Sequence, residues 1–163
     1  MVDGTGTEQK MAVTSNKNFL SPTGFKFTMD STKYPNLEYF CNSVSLPGIG
    51  IGAVDQPYRG VNLGFTGDRM SFDDLNITFN VTENMENYTE TFDWMDKMLR
   101  TEETETSDAV LSILSSHNNT TKRIKFKDCF PTALSGFDFV STATEIEYIQ
   151  ATVTFKYTTF EFI

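Results

Sequence analysis

A chain of 163 residues with 39% apolar and 21% charged side chains suits one folded domain and is too apolar for a disordered one. Its net charge of −9 and pI near 4.5 argue against a phosphate-gripping surface, because nucleic-acid affinity comes from Lys and Arg releasing counterions. Fifteen Phe, many beside Thr, Val or Ile, favour pleated strands over helices.

Residues 1–18 are polar, lack the apolar core of a signal peptide, and read as a flexible arm that orders only against a neighbour. Residues 19–163 form the single domain. No stretch approaches the roughly 20 apolar residues of a membrane span, so no membrane anchor is expected. Phe25, Phe27 and Met29 alternate with polar residues, the period of a half-buried strand. Tyr34-Pro35-Asn36 marks a turn, and Leu37, Tyr39 and Cys41 alternate in a second strand.

The stretch from Leu46 to Arg69 carries two Pro and six Gly. A structureless loop of that length is uncommon in a compact domain, so an extended hairpin projecting from the body is expected. Pro47, Ile49, Ile51, Val54, Val61, Leu63 and Phe65 lie along it, and Arg69 closes it. Apolar side chains on a projection need a partner surface.

From Asp73 the alternation is clean. Leu75, Ile77, Phe79 and Val81 face one way; Asp74, Asn76, Thr78 and Asn80 face the other, which is uncharged after Asp74. A helix over about 83–100 follows, with Thr82 or Asn84 as cap. Met85, Tyr88, Phe92, Met95 and Leu99 form the stripe expected to pack on a sheet. Trp94 and Met98 either widen that face or touch a neighbouring subunit. Residues 101–108 form an acidic loop with Glu102, Glu103 and Glu105.

A strand is expected at Val110–Leu114, then a polar turn over 115–121. Arg123, Lys125 and Lys127 share one strand face, to pair with acidic residues of another subunit, such as Glu102, Glu103 and Glu105, or to meet solvent. Phe137 and Phe139 suggest a short strand, and residues 141–144 a turn. A long last strand places Thr152, Thr154, Lys156 and Thr158 on one face and Ala151, Val153, Phe155 and Tyr157 on the other, and Phe160–Ile163 packs at its end. Seven to nine strands without βα alternation exclude a parallel sheet.

Catalytic chemistry is poorly supplied. The lone His117 lies in a Ser-Ser-His-Asn-Asn loop, and no acid–base pair surrounds it. Gly48, Gly50 and Gly52 lack the spacing of a phosphate loop. Asp68, Asp73 and Asp74 suit a turn and a strand opening better than a cation site. Cys41 and Cys129 have no metal-ligand spacing and suit a reduced core. No cofactor, metal or enzymatic activity is expected.

Several motifs in order carry a resemblance. Ser43-Val-Ser-Leu-Pro47-Gly48, Gly67-Asp68-Arg69, Phe72-Asp73-Asp74, Phe92-Asp93-Trp94 and Glu145-Ile146 resemble the tail tube proteins of T4-like contractile phages over residues 19–163. The arm and residues 101–121 depart from that pattern. The resemblance implies a mainly β fold of two packed, nearly orthogonal antiparallel sheets with a flanking helix. It implies hexameric rings with a continuous inner β-barrel, stacked through the projecting hairpin. Sheath, baseplate and terminator proteins would be partners. The virion, assembled in the bacterial cytoplasm, would be the location, and DNA would pass down the lumen without sticking. Asn76, Thr78, Asn80, Thr152, Thr154 and Thr158 are then candidates for the lumen lining. A baseplate tube initiator, tail terminator or adaptor of the same fold is the nearest alternative; a monomeric β-sandwich binding module is another.

Overall fold

The computed structural model describes residues 19–30, 33, 34, 36, 41–101, 104–142 and 147–163. The N-terminal arm, the strand residues Leu37 and Tyr39, Pro35 of the expected turn, the charges Glu102 and Glu103, and Glu145-Ile146 lie outside the described residues. Nine strands and one helix are seen among those described. In chain order they are β1 (Phe25–Thr28), β2 (Cys41–Ser45), β3 (Ile49–Tyr58), β4 (Val61–Phe72), β5 (Leu75–Asn80), α1 (Glu86–Arg100), β6 (Ser107–Leu114), β7 (Thr120–Leu134), β8 (Gln150–Lys156) and β9 (Thr159–Phe162).

Every strand pairing is antiparallel. The long strand β7 belongs to two sheets. Its first half pairs with β6 and β9, and β1 extends that sheet beyond β6. Its second half pairs with β8, followed by β5 and β2. The strand changes sheets around Asp128, which takes a left-handed φ of 56°. An extra residue in a strand bends it and increases its twist, which lets one chain serve two layers. The chain repeats this manoeuvre at Tyr157–Thr158, where the expected long terminal strand breaks into β8 and β9.

One core unites the layers. Phe27, Leu111, Ile124 and Phe126 come from the first sheet, and Leu75, Ile77, Phe79, Val153 and Phe155 from the second. Cys129 is buried in that core, Cys41 is half-buried, and both are free thiols. The end of the chain is divided. Phe160 packs on Phe72 and Phe126 at ring separations of 5.4 and 5.5 Å, whereas Phe162 and Ile163 stay exposed. Residues 135–140 form no strand; Phe137 instead sets its ring edge-on to Tyr88 of the helix at 5.2 Å.

The helix corrects the expected packing stripe. Its buried residues are Asn87, Thr91 and Trp94, with Met98 partly buried behind them. Phe92 is 57% and Leu99 86% exposed. Met85 lies before the first turn, in a left-handed conformation at φ 55°. The core-facing line 87-91-94-98 therefore lies one residue, or about 100° of helix, away from the apolar line 88-92-95-99.

Polar residues hold the true face because each is satisfied. The Asn87 side-chain N–H donates to Asn80 O at 2.7 Å, and its Oδ1 accepts from the Thr82 and Tyr88 N–H groups at 3.2 and 2.9 Å. The Thr91 hydroxyl donates to Asn87 O at 3.0 Å. Trp94 stacks on Tyr34 at 4.0 Å, and its indole N–H donates to Glu105 O at 2.9 Å. Trp94 and Met98 are thus core-facing residues of the helix. Thr82 does serve the helix start, its hydroxyl accepting the Glu86 N–H at 3.0 Å.

Candidate functional site: assembly surfaces

Among the described residues, strands β3 and β4 pair only with each other. Arg59 and Gly60, at φ 44° and 85°, turn the chain between them; two successive positive φ values give the tight turn whose twist matches a hairpin. The glycines of this stretch therefore sit mainly within strands, not in loops. Gly67-Asp68-Arg69 is also no turn: these three residues of β4 oppose the single Gly52 of β3, between the pairs Ala53–Thr66 and Ile51–Met70. Gly67 is required there, since an added Cβ would lie 2.5 Å from Gly52 O. Asp68 accordingly lies in a strand bulge.

The hairpin is anchored at its root. Gly48 O accepts the Asp73 N–H at 3.1 Å, and Phe72 sits against Tyr157 and Phe160. Pro47 is buried at this root, which removes it from the expected stacking surface. The remaining apolar residues are unpartnered within the subunit. Ile49, Ile51, Val54, Tyr58, Val61, Leu63, Phe65 and Met70 are between 45% and 63% exposed. Cross-strand register pairs Ile51 with Met70 near the root, and Val54 with Phe65 and Tyr58 with Val61 near the tip. Successive β3 residues point to opposite faces, so the root and tip pairs lie on opposite sides of the ribbon. A lone two-stranded ribbon is marginally stable in water, and this one carries apolar pairs on both faces.

The second surface is the outer face of β2, β5, β8 and the end of β7. Leu75, Ile77 and Phe79 turn inward, leaving Asn76, Thr78 and Asn80 outward. Register sets Asn76 opposite Thr154, Thr78 opposite Thr152 and Asn80 opposite Gln150. The side chains bond across the strands. Thr154 Oγ1 donates to Asn76 Oδ1 at 2.8 Å, the Thr78 and Thr152 hydroxyls lie 3.0 Å apart, and Gln150 Nε2 donates to Asn80 Oδ1 at 3.2 Å. Thr158 does not join them. It sits at the corner after β8, with its N–H on Lys127 O. The sheet ends on two short edges, β2 on one side and residues 130–134 of β7 on the other.

Several of the expected inter-subunit charges have partners within the chain. Lys125 reaches Asp108 at 2.8 Å and Lys127 reaches Glu161 at 2.9 Å. Glu105 bonds to both Lys97 and Lys33, at 2.6 and 3.0 Å. Arg123 remains exposed. These pairs set a pH dependence. Hydrogen bonds from Lys97 and Lys33 hold the Glu105 carboxyl below its usual range, and the Lys125 hydrogen bond does the same for Asp108. A depressed carboxyl stabilises the fold above its unfolded pKa, near 4, and that stability is lost as pH falls through the lower folded value. Glu90 acts oppositely, because burial raises its carboxyl. Urea midpoints should therefore fall less steeply between about pH 5 and 3 in Glu105→Gln than in the parent. An unchanged slope would remove Glu105 from the acid response.

The described surfaces define a class: a mainly β subunit with an exposed apolar ribbon and open sheet edges. The profile of the phage tail tube protein family matches residues 7–163, and the chain belongs to that family of structural tube proteins. Its fold is also that of contractile injection assemblies. The tube-terminating cap of the anti-feeding prophage superposes with a TM-score of 0.71 at 13% identity, over 96% of this chain and 98% of the other. The sheath–tube complex of the extracellular contractile injection system PVC gives 0.66 at 18% identity, over 90% and 93%. Hcp1 from Flavobacterium johnsoniae gives 0.51 at 15% identity, over 85% and 94%. No curated protein sequence matches the chain.

Proposed function

We propose that this protein is the repeating subunit of the inner tube of a contractile phage tail. Six copies close a ring, with the β2 edge of one copy pairing with the residue 130–134 edge of the next. Closure into a barrel removes the exposed strand edges. Rings stack through the β3–β4 hairpin, gripped on its root face by one neighbour and on its tip face by another. The N-terminal arm, residues 1–18, orders against an adjacent copy. The Asn/Thr face lines the lumen through which DNA passes. Sheath, baseplate and terminator proteins are the partners, assembly takes place in the bacterial cytoplasm, and the role is structural, without catalysis.

The observation that carries this reading is the hairpin, with its eight exposed large apolar residues and no partner strand among the described residues. A monomeric binding module has no use for such a ribbon. A terminating cap is the second reading, favoured by the near end-to-end match to the anti-feeding prophage cap. Negative-stain electron microscopy of the purified protein over a concentration series separates them. Hollow tubes that lengthen with concentration support the tube subunit. Single rings at every concentration support the cap. Monomers alone, even with baseplate extract added as a nucleus, would overturn both.

A further inference from the structure

The net charge of −9 is unevenly placed. On the outer face of β5 and β8, the run Asn76, Thr78, Asn80, Gln150, Thr152 and Thr154 contains no ionisable group. At one rim of the face Asp74 and Lys156 approach to 3.9 Å and offset each other. Each of the six side chains is tied to its cross-strand neighbour by one hydrogen bond, through Thr154–Asn76, Thr78–Thr152 and Gln150–Asn80. Acidic residues gather instead on and around the helix, at Glu86, Glu90, Asp93, Asp96 and Glu105.

We infer that the β5–β8 stretch of the conduit wall carries no net charge and ties its hydroxyls and amide oxygens to one another across the strands, so that a passing polyanion meets no unbalanced charge there. The inference rests on this face lining the lumen, as proposed above. It differs from an acidic wall that would repel phosphates. A repelling wall raises the potential along the whole path and changes strongly with salt, whereas a neutral one leaves transit indifferent to ionic strength. Duplex DNA is the cargo that such a wall fits, because phosphates bind where cations are fixed, and the one cation of this face, Lys156, is offset by Asp74.

A thiol reporter tests it in assembled tubes. Asn76→Cys and Thr152→Cys are each labelled with a cationic and an anionic methanethiosulfonate at about 0.15 M salt, where charges beyond about 8 Å are screened. Wild-type tubes supply the background; burial raises the Cys41 and Cys129 thiols to about 11 and about 12, so both are slow. The expected ratio of cationic to anionic rates lies within about two-fold of that for a free small thiol. A cationic preference above about ten-fold, which for reagents of opposite unit charge marks a negative wall potential of about 1 kT, would overturn the neutral wall. A companion variant, Thr152→Lys, places six lysines in each ring. Its tubes should co-sediment short duplex DNA at low salt and release it as salt rises, while wild-type tubes retain none. Retention by the wild type would also overturn the inference. Failures of the two readings are distinct. Tubes whose reporter thiols react as fast with a bulky polymer maleimide as with a small one would show that this face is not enclosed. That result removes the lumen placement and the neutral wall while leaving the tube itself standing. Absence of tubes from every preparation would remove the tube reading and this inference with it.

Discussion

Ile51→Asp is expected to abolish tube growth while leaving the isolated subunit to melt within about 2 °C of the parent. The two halves of that result have different causes. Ile51 is 58% exposed on a ribbon that pairs only with itself, so the substitution removes no core contact. Surface changes of this kind stay within about 0.5 kcal/mol, or ~2 °C for a chain of this size. Assembly is another matter. If the ribbon root is buried against a neighbouring ring, the carboxylate is buried without a partner, at a cost of about 3–5 kcal/mol. Each 1.4 kcal/mol is about ten-fold in an association constant, so one contact weakens by more than about a hundred-fold, and every subunit in a ring repeats it. Microscopy of the tubes and a melting curve of the monomer read the two halves separately. Long tubes from Ile51→Asp would show that the hairpin does not carry the stacking.

Asn87→Leu should lower the melting temperature of the subunit by about 6–12 °C. The side chain is fully buried and ties the end of β5 to the first turn of α1 through Asn80 O and the Thr82 and Tyr88 N–H groups. Leucine has a similar volume but leaves these groups without a partner. Each costs about 1–3 kcal/mol when buried and unbonded. A total near 3 kcal/mol is expected, since the Tyr88 N–H belongs to an open first turn and can reach water. Phe92→Ala is the informative comparison. On a core-facing stripe it would cost about 3–5 kcal/mol; at 57% exposure it should leave the melting temperature almost unchanged. Equal losses in the two variants would mean that the helix packs on its apolar line after all.

That comparison also marks where sequence pattern failed. The line Tyr88, Phe92, Met95, Leu99 is the most apolar stripe of the helix, and hydrophobic periodicity selects it. The structure buries the adjacent line, because Asn87 and Thr91 find complete hydrogen-bond partners and Trp94 stacks on Tyr34. A satisfied buried polar residue is invisible to a hydrophobicity count. The charges failed for a related reason. Lys125 and Lys127 look free along their strand, but β6 and β9 bring Asp108 and Glu161 beside them from distant parts of the chain.

Local alternation was enough where one strand has one dry and one wet face. Leu75, Ile77 and Phe79 against Asn76, Thr78 and Asn80 follow from the two-residue period of a strand, and the hairpin follows from a Gly- and Pro-rich stretch too long to be a loop. The sequence by itself therefore determined the mainly β class, the helix, the projecting ribbon and the uncharged face of β5. Only the tertiary structure decided which helical line turns inward, that β7 serves both sheets, that Gly67-Asp68-Arg69 is a bulge, and that Thr158 leaves the ladder at a corner. The division has a physical basis. Periodicity and turn chemistry act between residues a few positions apart, whereas hydrogen-bond satisfaction, ion pairing and sheet exchange depend on partners that are near only once the chain has folded.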